Sequence, residues 1–374
     1  MPIETSPFVF DAPLPPGDLA GRHEELATLR DRAMHGRFCV LSAPRRYGKT
    51  SLLARLASDA AVDRCLIVVR LDLLGILTFD DLTRRFASGL AAIGERKVAA
   101  AAQRALAAVA DAGVRVAARK VGIDLGAGII RPDDTPPAAT LEAILGVPVA
   151  VAKRTGSRVL VVLDEFQAIA DIDRADAIVR SQIQHQREHV SYLFSGSEQG
   201  VLRSLFGARS APLYGQAEMF DLGPLSAETA FDYVAARFEA TNRTPGVAIG
   251  ALVDTAAGHP QRLNLLAHHL WNNVAEHTAA DLDSWTVALD AAIRAIEPEL
   301  VAIWTTASTS QRRLLRLAAW GQPPSGAAAR RLSLIGGAAT SAKRTLIETS
   351  VLHANGTLID PLLGVWLRRQ HPAA

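Results

Sequence analysis

The stretch LSAPRRYGKTS, residues 41–51, decides the fold of this chain. It follows an apolar run, RFCV at 37–40, and a helical pattern begins at Lys49. A buried strand that turns into a helix in this way directs backbone N–H groups at a phosphate, and a lysine neutralises the phosphate charge. Gly48 stands where a side chain would block the phosphates, but the first glycine of the usual pattern is replaced by Ala43. Alanine costs little there if its φ is negative, so we predict a working phosphate site.

The side chains of this loop have different predicted roles. We predict that Lys49 reaches the β- and γ-phosphates and that the Thr50 hydroxyl holds Mg²⁺. Arg45 and Arg46 either contact phosphate or are solvated or paired with acids. The candidate nucleotide-binding residues of the loop are Ala43, Pro44, Arg45, Arg46, Tyr47, Gly48, Lys49, Thr50 and Ser51.

A second apolar strand ends in acids, in the sequence VLVVLDEFQAI at 159–169. Asp164 is suited to bind Mg²⁺ and Glu165 to polarise the attacking water, whereas a solvated acidic pair is the alternative interpretation. Gln167 is predicted to hydrogen-bond either the γ-phosphate or a neighbouring strand.

The next apolar run ends in FSGSE, residues 194–198. Ser195 or Ser197 is placed to sense the γ-phosphate, although a simple strand-ending turn explains these residues equally well. The candidate catalytic residues are therefore Glu165, Lys49 and Ser197.

Apolar strands alternate with helical patterns over the first 225 residues, which predicts an α/β fold with a parallel sheet covered by helices on both faces. A helix is expected at about 138–153, and the alternation at 120–130 indicates a strand or hairpin. From Ser226 onward the pattern is helical. The predicted sheet strands are RFCVLSA (37–43), CLIVVRLDL (65–73), RVLVVLDEF (158–166), HVSYLFSGS (189–197) and MFDLGPL (219–225).

The C-terminal segment predicts three helices followed by a hairpin, the arrangement of a winged helix. The helices are expected within 309–321, 326–336 and 339–352, and Asn-Gly between two apolar runs marks the hairpin at 351–363. The third helix carries Lys343 and Arg344 and would enter a groove of double-stranded DNA. A protein-contact or autoinhibitory role is the alternative.

Composition narrows the class of protein. From Glu299 onward nine basic residues face three acidic ones, whereas the rest of the chain has 31 basic and 35 acidic residues, so an anionic partner or a basic solvated surface is expected at the C-terminal end. Neither a membrane span nor a secretory signal is visible, and no His/Cys cluster has zinc spacing. Cys39 and Cys65 are predicted to be buried thiols in a reducing cytoplasm.

Five motifs occur in order, namely APRRYGKTSLL, VVLDEFQAI, YLFSGSEQGVLRSLF, APLYGQAEMFDLGPL and GHPQRLNLLAHHLW. With them the chain resembles the archaeal-type ATPases of the STAND/AAA+ P-loop NTPases, from about Ala20 to its C-terminus. The resemblance implies ATP and Mg²⁺ as ligands. It also implies an ATPase core at 1–225, a helical lid at 226–298 and a winged-helix domain at 299–374.

The resemblance also suggests roles for weaker positions. Gly21 and Arg22 in LAGRHEEL would lie on the adenine side. In GHPQRLN, Pro260 would pack near the base, and His259 or Arg262 would lie near the phosphates.

The chain departs from the family pattern at Ala43 and at Gln216, where relatives often have a basic residue. The second departure argues against an arginine finger from that loop. Arg203 and Arg209 remain candidates for acting on the ATP of a neighbouring subunit, against the alternative that both are surface arginines.

Together these features predict an ATP-binding and ATP-hydrolysing switch whose lid and winged helix respond to nucleotide state. Turnover is expected to be slow unless a protein partner or a second copy in a homo-oligomer completes the site. One alternative is an ATP-controlled DNA-binding or DNA-loading protein related to origin-recognition ATPases. Another is a nucleotide-gated signalling or defence scaffold with little hydrolysis.

Overall fold

A computed structural model of the protein describes residues 5–63, 65–93, 96–111, 115–116, 129–130, 137–334 and 336–372. These residues form two compact units. The sheet unit comprises Arg22–Ala43 and Leu52–Leu222, and the C-terminal unit comprises the described residues of Met1–Gly21, Pro44–Ser51 and Gly223–Ala374. Each unit has its own core of buried apolar side chains. The three-domain division predicted from the sequence stays a prediction.

The sheet unit is built on a five-stranded parallel sheet in the order β2-β5-β6-β1-β7, as the sequence predicted. β3 and β4 form a separate antiparallel pair, and residues 120–128 of the predicted strand or hairpin lie outside the described residues. The strands are β1 (Cys39–Ser42), β2 (Leu66–Asp72), β3 (Arg115–Val116), β4 (Ile129–Ile130), β5 (Arg158–Asp164), β6 (Val190–Gly196) and β7 (Glu218–Asp221).

Burial of the sheet follows strand position. β1 and β6 are buried along their whole length and β5 everywhere except its two ends, because central parallel strands are covered on both faces. β7 is an edge strand with exposed residues, so the predicted covering of the sheet on both faces does not extend to it. Cys39 lies buried in β1, but Cys65 precedes β2 and is exposed, which corrects its predicted burial.

One prediction about the helices from α1 to α8 is corrected by the structure. The helix predicted at about 138–153 is two helices, because Pro148 lacks the N–H that a continuous helix would need. The helices are α1 (His23–Met34), α2 (Lys49–Val62), α3 (Phe79–Ala91), α4 (Arg96–Asp111), α5 (Pro137–Leu145), α6 (Val147–Thr155), α7 (Ala175–Ile183) and α8 (Gln199–Gly207).

The C-terminal unit is helical, as expected from Ser226 onward. The three helices predicted near the C-terminus are present as α13, α14 and α15. No described helix has the length and apolar character needed to span a membrane. The helices are α9 (Ala227–Glu239), α10 (Ala248–Ala256), α11 (Pro260–Asn272), α12 (Leu282–Thr306), α13 (Thr309–Ala319), α14 (Ala327–Arg331), α15 (Gly337–Glu348) and α16 (Pro361–Gln370).

The predicted hairpin is shorter than expected. Leu352 and Leu358 form an antiparallel bridge, and the His353 N–H donates to the Thr357 carbonyl at 2.8 Å. The second apolar run does not continue as a strand to residue 363. The Asp360 carboxylate accepts from the Leu362 N–H at 2.9 Å and starts α16, whose first residue is Pro361.

The turn before α11 gives a test of the fold. Gly258 has a φ of +73°, and a Cβ built on it would lie 2.3 Å from the Leu225 carbonyl oxygen. We expect Gly258→Ala to lower the free energy of unfolding by about 2 kcal/mol or more, because both strain and a backbone clash oppose it. Gly250→Ala is the control, since a Cβ there meets nothing within 4 Å in the described chain and alanine favours the helix. Urea titration measures both, and equal effects would contradict the analysis.

Candidate functional site

The phosphate loop joins β1 to α2, and its backbone shows why alanine is tolerated at position 43. Ala43 is not among the residues with positive φ, so the condition set by the sequence analysis is met. The left-handed positions of the loop are Arg46 and Gly48, with φ of 67° and 86°. A Cβ built on Gly48 meets nothing within 4 Å in the described chain, so the positive φ is what favours glycine there.

The lysine at the start of α2 is held by the loop itself. Lys49 is buried, and its Nζ donates to the Pro44 carbonyl oxygen at 3.1 Å. Ser51 is also buried and accepts the Leu14 N–H on its Oγ at 3.0 Å. Thr50 is exposed beside them at the N-terminus of α2, where backbone N–H groups and the helix dipole favour an anion.

Two further loop side chains contact distant parts of the C-terminal unit. Arg46 Nη1 lies 2.6 and 2.7 Å from the two carboxylate oxygens of Glu299 in α12, so Arg46 is paired with an acid here, whereas Arg45 is exposed. The Tyr47 ring is buried with its centroid 4.9 Å from that of His259. The Tyr47 hydroxyl lies 3.4 Å from His353 Nε2 in the hairpin.

Arg262 in α11 is one of the most deeply buried side chains described, with 1% exposure. Its Nε lies 3.1 Å from both carboxylate oxygens of Asp360, and its Nη2 lies 2.5 Å from Asp360 Oδ2 and 3.4 Å from Glu299 Oε2. A buried guanidinium requires such partners, because an unpaired buried charge is strongly unfavourable. The lid arginine expected near the phosphates is therefore engaged by carboxylates in this structure.

The turn before Arg262 explains the sequence GHP. Gly258 supplies the left-handed residue, His259 Nδ1 accepts the Arg262 N–H at 3.3 Å, and Pro260 occupies the first turn of α11. Burial lowers the pKa of His259 to about 4, an effect that the nearby Asp360 opposes. His259 is therefore a neutral cap at physiological pH, and the packing of Pro260 near an adenine base stays a prediction.

The acidic end of β5 brings four residues singled out by the sequence together. Glu165 has a φ of 52°, an unusual conformation for a residue with a side chain. Ser197 Oγ donates to Glu165 Oε2 at 2.9 Å, and Gln167 Nε2 donates to the same oxygen. The Asp164 carboxylate accepts the Glu165 N–H at 3.2 Å. Of the two serines considered, it is Ser197 that contacts Glu165.

Its hydrogen bond with Glu165 fixes the orientation of the Gln167 amide. A carboxylate only accepts hydrogen bonds, so the NH₂ group must face Glu165. Gln167 Oε1 then points to Gly196, where a built Cβ would lie 2.1 Å away. Oε1 is buried and has no hydrogen-bond donor among the described residues, as is the case for Ser195 Oγ and Ser42 Oγ. Such orphaned polar atoms are rare in protein interiors and call for an explanation.

These residues lie at one edge of the parallel sheet. The register pairs Ser42 of β1 with Gly196 of β6, and β6 pairs with β5, which ends at Asp164. The carboxyl ends of parallel strands share an edge, which is where ligands bind in open α/β sheets. The strand that leads into the phosphate loop therefore ends at the same edge as the acidic strand.

The residues assigned to the adenine side form a tight turn. Gly21 and Arg22 both have positive φ, of 57° and 66°. A Cβ on Gly21 would lie 2.7 Å from Thr229 Cγ2, and Arg22 Nη1 pairs with Glu25 at 2.7 Å. A local structural role explains both residues, and contact with adenine stays a prediction.

The arginine-finger candidates are surface residues. Arg203 is exposed and lies 3.6 Å from Asp221, and Arg209 is exposed. The Gln216 carbonyl accepts from Arg187 Nη2 at 2.8 Å, so the backbone of this position is used structurally. A role of Arg203 or Arg209 in a neighbouring subunit stays a prediction.

Much of the C-terminal basic charge is anchored within the protein. Arg312, Arg313, Arg316 and Arg368 donate to backbone carbonyl groups, and Arg369 pairs with Asp290. On α15, by contrast, the Arg344 side chain is 73% exposed and lies 3.9 Å from Glu348, close to exposed Thr340 and Ser341. The Lys343 ammonium lies over the hairpin turn at Gly356. Of the two predicted nucleic-acid contacts on α15, Arg344 is therefore the exposed one, whereas Lys343 lies against the hairpin.

The described residues contain no group of three or more His, Cys, Asp or Glu side chains that could hold a metal ion. Mg²⁺ is usually bound by one or two carboxylates together with phosphate oxygens and water. The Thr50 hydroxyl and the Asp164 carboxylate are oxygen ligands of the kind that Mg²⁺ requires.

Three contacting residues were not predicted from the sequence. Glu299 and His353 contact the phosphate loop, and Asp360 pairs with Arg262. Asp360 had a local signal, since Asp before Pro marks a helix start. Glu299 had none, because its contact with Arg46 joins residues 253 positions apart.

No protein-family model matches this sequence, and no curated protein matches it. Solved structures do. The Walker-type ATPase of Pyrococcus abyssi has a TM-score of 0.67 at 18% identity, covering 94% of this chain and 97% of that one. The ORC2 protein of Aeropyrum pernix, solved in ADPNP and ADP complexes, has a TM-score of 0.58 at 15% identity, covering 97% and 96%. The likeness confirms the predicted fold, a parallel α/β sheet covered by helices, which is the fold that the resemblance to archaeal-type ATPases implies.

The buried cap at His259 predicts a pH dependence of stability. An unfolded histidine binds a proton near its usual pKa of 6.5, but burial delays protonation of the folded His259 to about pH 4. The unfolded state binds more protons in that window, so stability falls as the pH falls, by about 3 kcal/mol in total. His259→Asn keeps a capping acceptor but does not titrate. Urea titrations between pH 7 and 4 should show a shallower loss for the variant, and identical slopes would contradict the assignment.

Proposed function

We propose that this chain, which has the AAA+ P-loop ATPase fold, binds ATP with Mg²⁺ and hydrolyses it slowly as a molecular switch. The observation that carries the proposal is that β1 and β5 end at the same edge of the parallel sheet. β1 leads into a loop that opens α2 with Lys49, and β5 ends in Asp164 and a Glu165 carboxylate held by two donors. Phosphoryl transfer requires phosphate-binding cations and an oriented base of this kind.

The phosphate loop would bind the triphosphate. Lys49 would exchange its contact with the Pro44 carbonyl for the β- and γ-phosphates, and the N–H groups at the start of α2 would donate to the α- and β-phosphates. The Thr50 hydroxyl and the Asp164 carboxylate would hold Mg²⁺, which neutralises charge on the β- and γ-phosphate oxygens. Gly21, Arg22 and Pro260 are the proposed adenine-side residues.

Glu165 is the proposed base. Ser197 and Gln167 both donate to its Oε2, which fixes the carboxylate and leaves Oε1 as the oxygen to accept a proton from water. The buried Gln167 Oε1 is an acceptor that has no donor among the described residues. A water molecule is the smallest donor that could satisfy it. We therefore place Gln167 and Ser197 as positioning residues for Glu165.

Slow turnover would suit a switch. Position 216, where relatives often have a basic residue, is a glutamine, so acceleration would have to come from a partner or from Arg203 or Arg209 of a second copy. A homo-oligomer or a protein partner is thus part of the proposal. A nucleotide-gated signalling scaffold of the STAND type would differ from the proposed ATPase switch only in having negligible hydrolysis.

A second candidate function is ATP-controlled binding of double-stranded DNA. The exposed Arg344 and the neighbouring Thr340 and Ser341 on α15 favour it, because the third helix of a winged helix would present these side chains to a groove. The hairpin after α15 would serve as the wing.

Replacing the base tests the ATPase proposal. We expect Glu165→Gln to lower kcat by about 100-fold or more while ATP still binds, because general-base catalysis supplies about that factor. Glu188→Gln is the control, since the Glu188 side chain is 85% exposed. Phosphate release and calorimetric ATP binding measure the two effects. A wild type that neither binds nor turns over ATP would refute the proposal.

Replacing the α15 cations tests the DNA function. The double variant Lys343→Ala, Arg344→Ala should weaken binding to duplex DNA and lower the slope of log affinity against log salt by about 2 units, one per lost phosphate contact. Arg55→Ala, which removes a half-buried arginine paired with Asp59 in α2, is the control. Unchanged affinity and slope in the double variant would rule out this face as the DNA site.

A further inference from the structure

Glu299 accepts hydrogen bonds from two arginines of the C-terminal unit. Arg46 Nη1 contacts both of its oxygens, at 2.6 and 2.7 Å, and Arg262 Nη2 lies 3.4 Å from Oε2. Arg46 belongs to the phosphate loop, two residues before Gly48. A carboxylate of α12 thus binds a cation whose neighbours in the loop are arranged for phosphate.

We propose that Glu299 and a phosphate group of the nucleotide compete for Arg46, so that nucleotide binding releases the phosphate loop from α12. The inference rests on the ATP-binding function proposed above. A guanidinium binds carboxylate and phosphate alike, and Arg46 Nη1 faces both carboxylate oxygens of Glu299, so this Nη1 can donate to a phosphate only by leaving the carboxylate. Phosphate carries more charge, so a bound triphosphate can displace the carboxylate.

The strength of the contact suits a releasable tether. The Arg46 and Glu299 side chains are 46% and 40% exposed, and half-exposed ion pairs are weak. The Arg262 side chain, by contrast, is buried. We expect it to keep its hydrogen bonds with Asp360 when the Glu299 carboxylate is removed. Removal of that carboxylate should therefore free Arg46 without uncoupling α11 from α16.

The chain offers a matched control on the same helix. Asp290 of α12 pairs with Arg369 at 2.7 Å, with side-chain exposures of 40% and 42%. Asp290→Asn removes an ion pair of similar length and exposure to the one that Glu299→Gln removes, but one that does not involve the phosphate loop.

The experiment measures calorimetric affinity for a non-hydrolysable ATP analogue with Mg²⁺. We expect Glu299→Gln to bind it about fivefold more tightly than wild type, a gain of about 1 kcal/mol. Asp290→Asn should bind like wild type. A merely structural role of Glu299 cannot produce this gain, since removal of a structural interaction weakens binding or leaves it unchanged.

Combining Glu299→Gln with Arg46→Ala separates direct competition from a general charge effect. If the two anions compete for Arg46, Glu299→Gln adds no affinity once Arg46 is absent. The inference would be overturned if Glu299→Gln raised the affinity equally with and without Arg46, or did not raise it when Arg46 is present. In either case, binding of the analogue by the wild type would leave the proposed function standing. Absence of binding in the wild type would overturn both the inference and the proposed function.

Discussion

The buried guanidinium of Arg262 is the constraint around which the C-terminal unit is arranged. A cation that is 1% exposed must be neutralised inside the protein, and Asp360 does so with both carboxylate oxygens. The same carboxylate starts α16, so one side chain both neutralises Arg262 and sets where the last helix begins. Because Arg262 follows the His259 cap, the arrangement also fixes how α11 begins. Removing Asp360 would leave the buried Arg262 with only its longer contact to Glu299, and removing Arg262 would leave the Asp360 carboxylate without this guanidinium.

The sequence predicts what is local and periodic, and it misses what depends on distant contacts. The strands β1, β2, β5 and β6 follow from buried apolar runs, and the loop before Lys49 follows from glycine and lysine placement. The run after Ile359 was assigned to a hairpin, because Asn-Gly is a strong turn signal, whereas Asp360 and Pro361 start a helix there. The pair of Arg46 and Glu299 could not be predicted, since no periodic pattern relates residues so far apart.

Internal groups already contact two of the three cations of the phosphate loop. Lys49 donates to the Pro44 carbonyl, and Arg46 is held by a carboxylate. The free energy of nucleotide binding is therefore a difference between the new interactions with phosphate and the internal interactions that they replace, so its size depends on residues that never touch the nucleotide. Glu165 follows the same principle at the other strand end, where Ser197 and Gln167 hold its carboxylate before any substrate does. Ligands shift such arrangements only by their preference for one of them.

The long helix α12 has a proline inside it, at position 298, next to Glu299. Proline has no N–H to donate, so the helix lacks one rung of its hydrogen-bond ladder at that point, and bending there costs less than elsewhere. The part of α12 that follows Pro298, up to Thr306, forms a lever arm of about 12 Å. A bend of roughly 20° at the proline would move the far end of that arm by about 4 Å. A small displacement at the phosphate loop would in this way be amplified into a displacement larger than the length of a hydrogen bond.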